Sequence, residues 1–450
     1  MPKLRLAVVG AGPAGIYASD LILKAERDFD VSIDLFDLLP APYGLVRYGV
    51  APDHPRIKGI IKALYEVLDR GDIRFFGNVN YGTDLKLEDL KKHYNAVIFA
   101  TGAIKDADLK IPGIDFDGSY GAADFVNWYD AHPDFPRTWP LNAQQVAVIG
   151  NGNVALDVAR MLIKLPEDLL STDIPDHVYQ GLKSSPVTDV HVFGRRGPAQ
   201  VKFSPLELRE ALHVNGVQAI VYPDDFQFDD GSQKALDSNN QIRVMVKTLQ
   251  DLKDNPQETQ ERRLHLHFFH SPLEVIGENG KVSGIRFERT KLDGTGNVVG
   301  TGEVVEYPIQ AVYRAVGYFG SELDQIPFDA KSGVVSNDEG RVLDSSGKHI
   351  QGVYCTGWIK RGPVGLIGHT KADAIETIGH LIEDRATWWS PEMPGEDAIL
   401  QTLVDRGVTF MDWSHWLKVD AEERRLGQSD GRERIKLFDR GEILKVSKGN

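Results

Sequence analysis

Leu4-Arg5-Leu6-Ala7-Val8-Val9-Gly10-Ala11-Gly12-Pro13-Ala14-Gly15 and Val146-Ala147-Val148-Ile149-Gly150-Asn151-Gly152-Asn153-Val154-Ala155 share one pattern. Each is a short apolar run, then G-x-G-x-x-G or G-x-G-x-x-A, then a helix-like segment. The apolar run reads as a buried strand and the glycines as a turn. In such a turn the first glycine allows the sharp bend. The second lets the backbone approach a pyrophosphate, and the third lets helix and strand pack closely. The helix that opens there offers free N–H groups and a positive dipole end to phosphate. A second strand follows each copy: Val31–Asp37, ending on Asp37, and Val187–Phe193, ending on Gly194-Arg195-Arg196. The chain therefore carries a dinucleotide-binding βαβ unit twice, and the expected class is α/β with two Rossmann-like domains.

Different residues close the two second strands. Asp37, 22 positions after Gly15, suits a ribose hydroxyl pair. An acid at the other site would repel a 2′-phosphate, whereas two guanidinium groups can grip one with charge-assisted, bidentate hydrogen bonds. The first site is therefore read as binding FAD and the second as binding NADPH in preference to NADH. Two dinucleotides in one chain imply hydride transfer between nicotinamide and flavin.

Composition narrows the rest. The 450 residues are 42% apolar and 26% charged, ordinary for a globular chain but too many for one core. The formal net charge of −14 argues against general nucleic-acid binding. One cysteine, Cys355, excludes a disulfide framework, a four-cysteine zinc site and a C-x-x-C redox pair, and no metal site is expected. No apolar run is long enough to span a membrane, the N-terminus lacks a signal-peptide layout, and the expected location is cytoplasmic. The repeat of the unit places one nucleotide domain inside the other: FAD on 1–106 and 325–450, NADP on 107–324. Pro223–Arg263 reads as a polar surface excursion, and the tail from Arg385 as a helical appendage.

Four stretches carry a resemblance: Ala41–Pro55 (APYGLVRYGVAPDHP), Gly150–Arg160 (GNGNVALDVAR), Gly194–Pro198 (GRRGP) and Gly357–Gly368 (GWIKRGPVGLIG). In this order they resemble the adrenodoxin-reductase-like ferredoxin–NADP reductases, bacterial members included, over about Leu4 to Asp384. That resemblance implies FAD contacts from Gly10, Gly12, Pro13, Ala14, Gly15, Asp37, Gly44, Leu45, Val79, Gly102, Trp358 and Gly365–Ile367 (Gly365, Leu366, Ile367). It implies NADP contacts from Asn151, Gly152, Asn153, Val154, Arg195, Arg196, Glu207 and Gly365. His54, Asp157 and Glu210 are the residues it places near the redox centre. The family usually has Glu where this chain has Asp37, and Trp358 matches the adrenodoxin-reductase branch. The implied partner is an iron–sulfur ferredoxin, feeding a haem monooxygenase. Lys360-Arg361, Arg47 and Arg56 are the expected basic docking patch, and the exposed pair Arg243 and Lys247 reads as a solvated helix face. A disulfide reductase is ruled out by the single cysteine. The electron-delivering subunit of a larger synthase is disfavoured because no cysteine-rich cluster domain is present. An NADPH-sensing flavoprotein without rapid turnover and a quinone or diaphorase-type reductase are the remaining alternatives.

Overall fold

Lys3–Val9 is buried along nearly its whole length: Leu4, Leu6 and Val8 make one face apolar, and on the other Ala7 and Val9 stand beside Arg5, whose charge is met by buried Asp34 at 2.7 Å. Leu4, Leu6 and Val8 point into one core with Ile33, Leu35 and Ile98. Ala7 and Val9 point into another with Phe36, Val97 and Phe99. A strand buried on both faces belongs in the middle of a helix-covered parallel sheet. In the computed structural model, which describes residues 3–364 and 367–449, Lys3–Val9 pairs in parallel with Asp30–Asp37 on one side and Ala96–Phe99 on the other.

The chain divides into two units. The first comprises Met1–Lys105, Asp130–Asp134 and Tyr318–Asn450. Its seven-stranded sheet runs, in spatial order, Asn337–Asp338, Arg341–Leu343, His349–Cys355, Ala96–Phe99, Lys3–Val9, Asp30–Asp37 and Ile73–Gly77. His349–Cys355 pairs in parallel with Ala96–Phe99 from far along the chain. The helices Pro13–Lys24 and Ile367–Glu383 contribute Ile16, Ala18 and Ile22, and Ala374, Ile378 and Leu381, to one core. The boundaries read from sequence do not anticipate that Asp130–Asp134 sits with this unit.

The tail belongs to the same unit and is helical: Glu396–Asp405, Trp413–Ser429 and Arg440–Ser447. Trp416, only 1% exposed, meets Tyr43 edge to face at 5.9 Å. Glu423 accepts from Arg47 at 2.9 Å and from Arg434 at 3.2 Å. Lys436 donates to the Arg47 carbonyl at 2.8 Å and to Asp130 at 2.9 Å. Removing one partner of a buried pair strands the other charge, so these contacts specify where the tail lies.

The second unit comprises Asp106–Tyr129 and Phe135–Gly317. Its six-stranded sheet has the order Ser119–Gly121, Ala311–Arg314, Gln145–Ile149, Asp189–Phe193, Arg262–His267 and Val217–Val221. A three-stranded antiparallel meander, His270–Glu278, Lys281–Leu292 and Val298–Tyr307, shares a core with one face of it through Phe193, Ile285, Phe287 and Val312. The excursion at Pro223–Arg263 forms the helices Asp230–Ser238 and Asn240–Asp254. Among the described residues no helix is long and apolar enough to cross a membrane.

Candidate functional site

The two glycine turns are built alike. Gly10 has φ +111°, and a Cβ placed there would lie 2.4 Å from the Ala100 carbonyl oxygen. Gly150 has φ +140°, and its Cβ would lie 2.2 Å from the Ala315 carbonyl oxygen. Each first glycine also donates to the end of its neighbouring strand, Gly10 to Phe36 at 2.7 Å and Gly150 to Phe193 at 2.9 Å. A Cβ on the third glycine, Gly15, would fall 1.9 Å from the Gly10 carbonyl oxygen, so helix and turn touch there. The second glycines are different. A Cβ on Gly12 would meet only the Gly44 Cα, at 3.8 Å, and one on Gly152 would meet nothing within 4 Å. A methyl group would thus fit at either second glycine without a close contact.

The helices that open there, Pro13–Lys24 and Asn153–Ile163, have no side-chain N-cap. Elsewhere Ser204, Asp412 and Asp439 cap helices, while Ile61–Leu68, Asp176–Lys183 and Glu396–Asp405 likewise have no side-chain cap. Uncapped first-turn N–H groups need an acceptor, and a phosphate supplies one. The residues present therefore fit a dinucleotide pyrophosphate at each turn.

Asp37 ends the second strand of the first unit, half-buried. Its carboxylate accepts from Ala11 N–H at 2.6 Å and Leu39 N–H at 2.8 Å, and so also holds the glycine turn closed. Burial pushes its pKa up to about 6 against the pull of those two donors. The following segment wraps the same turn: Tyr43 donates to the Ala11 carbonyl at 2.8 Å, and Gly44, at φ +48°, sits against Gly12. Leu45 begins the short helix Leu45–Tyr48. Val79 is buried and donates to the Asp37 carbonyl at 2.9 Å. Gly102 has φ +73°, and a Cβ placed there would meet nothing within 4 Å. Trp358 is half-buried at the start of Trp358–Arg361, and a Cβ on the preceding Gly357 would touch Ala14 at 2.6 Å. The structure thus brings the Trp358 turn onto the first glycine helix. Gly365 and Leu366 lie outside the described residues, as does the Ile367 side chain.

In the second unit, Arg195 is exposed and Arg196 half-buried. Their carbonyls are anchored, by Thr290 at 2.7 Å and Phe269 N–H at 3.3 Å. Neither guanidinium has an ion-pair partner among the described residues. Asn151, Gly152, Asn153 and Val154 are half-exposed at the head of a helix whose next residues, Ala155 and Leu156, are buried. Asn153 also accepts from Ser204 N–H at 2.8 Å. Asp157 accepts from Arg160 at 2.8 Å, and the same buried arginine lies 3.6 Å from Glu207. Glu210 is half-exposed on Pro205–Leu212. His54 belongs to the first unit, is 3% exposed and opens Pro55–Lys58.

The expected basic docking patch is overturned at two of its members and weakened at a third. Arg47 is buried on Glu423 and stacked over the Tyr48 and Trp416 rings, each at 5.0 Å. Lys360 is buried between Asp373, at 2.9 Å, and Glu376. Arg361 is half-buried with Asp373 at 3.7 Å, which leaves Arg56 exposed. Local spacing did not reveal these partners, because they lie far along the chain or on another helix. Arg243 and Lys247 stand on a solvated face, Lys247 paired with Asp251 at 2.9 Å. Trp416 and Glu423, absent from the sequence reading, reach the Tyr43–Tyr48 segment from the tail, as Lys436 does.

The pyridine nucleotide-disulphide oxidoreductase family matches residues 4–186. The NADPH-ferredoxin reductase FprA of Mycobacterium tuberculosis (strain ATCC 25618 / H37Rv) is 40% identical over 460 residues, covering 99% of each chain. The human mitochondrial NADPH:adrenodoxin oxidoreductase is 36% identical over 457 residues, covering 98% of this chain and 91% of that one. The solved structure of Mycobacterium tuberculosis FprA in complex with NADPH superimposes with a TM-score of 0.91 at 39% identity, covering all of both chains. With its paired glycine turns and this likeness along its whole length, the chain belongs to the family of NADPH-ferredoxin reductases and NADPH:adrenodoxin oxidoreductases.

Proposed function

We propose that this chain is an FAD-dependent NADPH–ferredoxin oxidoreductase. The observation that carries the reading is the contrast between two turns of one build, one closed by Asp37 and the other by two unpaired guanidinium groups. FAD, when bound, supplies the chemistry that accepts a hydride from NADPH and passes electrons singly to an iron–sulfur ferredoxin.

The chain's own residues bind and orient. The backbone at Gly12 and the first turn of Pro13–Lys24 hold the flavin pyrophosphate. Asp37 offers its remaining lone pairs to ribose hydroxyls, and Gly44, Leu45, Val79, Gly102 and Trp358 line the rest of that site. Asn151–Val154 and Glu207 hold NADP, and Arg195 and Arg196 hold its 2′-phosphate. His54, Asp157 and Glu210 hold protons and water near the redox centre, with Asp157 oriented by Arg160. FAD is proposed for the first unit and NADP for the second. A haem monooxygenase is the proposed user of the electrons, and the cytoplasm the proposed location.

The test is NADPH-dependent reduction of cytochrome c by purified protein that shows oxidised-flavin absorption, with and without ferredoxin. Strong stimulation by ferredoxin is expected. Rapid quinone or disulfide reduction with no ferredoxin effect at any ionic strength would overturn the acceptor, and absence of flavin absorption the whole reading.

A further inference from the structure

Three histidines meet on one face of the second unit's six-stranded sheet, and the electron-transfer reading does not use them. His265 and His267 are two apart on Arg262–His267, so they share a face. His191 lies directly opposite His265 on Asp189–Phe193, and Gln145 lies opposite Asp189 on Gln145–Ile149. One ring nitrogen from each of the three lies within 4.8 Å of the others.

The hydrogen bonds fix which nitrogens carry protons. The Gln145 amide donates its N–H to Asp189 at 2.7 Å, so its oxygen faces His191 Nε2 at 3.1 Å. That oxygen can only accept, so Nε2 of His191 is the protonated nitrogen and Nδ1 keeps its lone pair. Asp189 accepts from His265 Nε2 at 2.9 Å, which leaves the lone pair of His265 on Nδ1, 2.8 Å from the Tyr222 hydroxyl. His267 Nε2 lies 3.0 Å from His191 Nδ1 and donates to it.

We propose that His191, His265 and His267 bind a divalent transition metal of the zinc class. Three imidazoles from two adjacent strands make the donor set that zinc accepts with a fourth position left to water or, here, to the Tyr222 hydroxyl. The outward nitrogens already have the partners such sites use: a carboxylate on His265 and an amide oxygen on His191. Asp189 is itself held by Arg263 at 2.6 Å. Two adjustments accompany binding. His267 moves its proton from Nε2 to Nδ1, so three neutral rings bind with no net proton change. His191 and His265, now parallel with centroids 4.2 Å apart, turn so that one ion lies in both ring planes. His191 is half-exposed, which gives the ion its way in.

The experiment uses chelator-treated flavin-loaded protein, dialysed against Zn2+ and assayed for zinc by atomic absorption, with melting followed in parallel. One zinc per chain and a zinc-dependent rise in melting temperature are expected, as for any ligand that binds the folded state alone. His191→Ala should abolish both effects. Gln145→Ala, which removes only the support, should weaken binding by about 10–100-fold. NADPH-dependent ferredoxin reduction without zinc should be the same in His191→Ala as in wild type, which also shows that the variant folds. The proposal fails if zinc does not bind stoichiometrically, or if it binds His191→Ala and Gln145→Ala as tightly as wild type.

Discussion

Among the described residues Arg195 and Arg196 have no ion-pair partner, which is unusual in a chain where most arginines are paired. Replacing both by Ala should cut kcat/KM for NADPH by about 100-fold or more, since each charge-assisted hydrogen bond contributes about 1.5–3 kcal/mol. Steady-state kinetics with NADH, which lacks the 2′-phosphate, should change little; an equal loss with both cofactors would remove these residues from the phosphate site. Asp106 gives a second single-residue expectation. It accepts from Ala123 N–H at 3.0 Å, yet burial, with Asp124 adding to it, pushes its pKa up to about 7. An unfolded aspartate titrates near about 3.9, so the folded chain holds this proton more tightly. Asp106 therefore contributes stability below about pH 4 that is lost as pH rises to about 7. In urea unfolding, wild type should lose up to about 4 kcal/mol over that window relative to Asp106→Asn. Parallel pH profiles for the two proteins would refute this. At this scale the sequence was legible where a residue's position is set by its own strand end, as for Asp37 and Arg195. It was not legible for Arg47, whose partner Glu423 lies 376 positions away.

Among elements, the glycine turns separate folding from binding. Gly10→Ala and Gly15→Ala put a methyl group onto backbone oxygens at 2.4 and 1.9 Å, and both should reduce soluble, folded protein. Gly12→Ala and Gly152→Ala meet nothing closer than 3.8 Å and should fold with melting temperatures near wild type. The first should lose FAD on gel filtration, and the second should raise KM for NADPH with flavin content unchanged. If Gly12→Ala kept full flavin, the pyrophosphate would not lie against that residue. Both turns could be read from sequence because their demands are local: positive φ and close approach. The meander was not read. Val298–Tyr307 has Gly300 and Gly302 inside it, which locally signal a turn rather than a strand. Its pairing with Lys281–Leu292, from Leu292↔Val298 out to Ile285↔Tyr307, overrides that signal.

For the whole molecule, the fold class was legible because a repeated pattern declares itself at any distance. The tail's attachment was not, because it rests on buried ion pairs between segments remote in sequence. Trp416→Ala should cost about 3–5 kcal/mol, read as a lower melting temperature of the flavin-binding unit. If the melt were unchanged, Trp416 would not be part of that unit's core. The same connectivity sets a timetable for synthesis. A chain leaving the ribosome completes the second unit once Gly317 has emerged, while the first still lacks His349–Cys355 for its sheet and Glu423 and Lys436 to hold Arg47 and Asp130. Translation therefore finishes the second unit first and leaves the first open until its last stretch is made. Flavin capture becomes the final, post-translational act of maturation. Arrested nascent chains should show a protease-resistant second unit before they can retain any flavin.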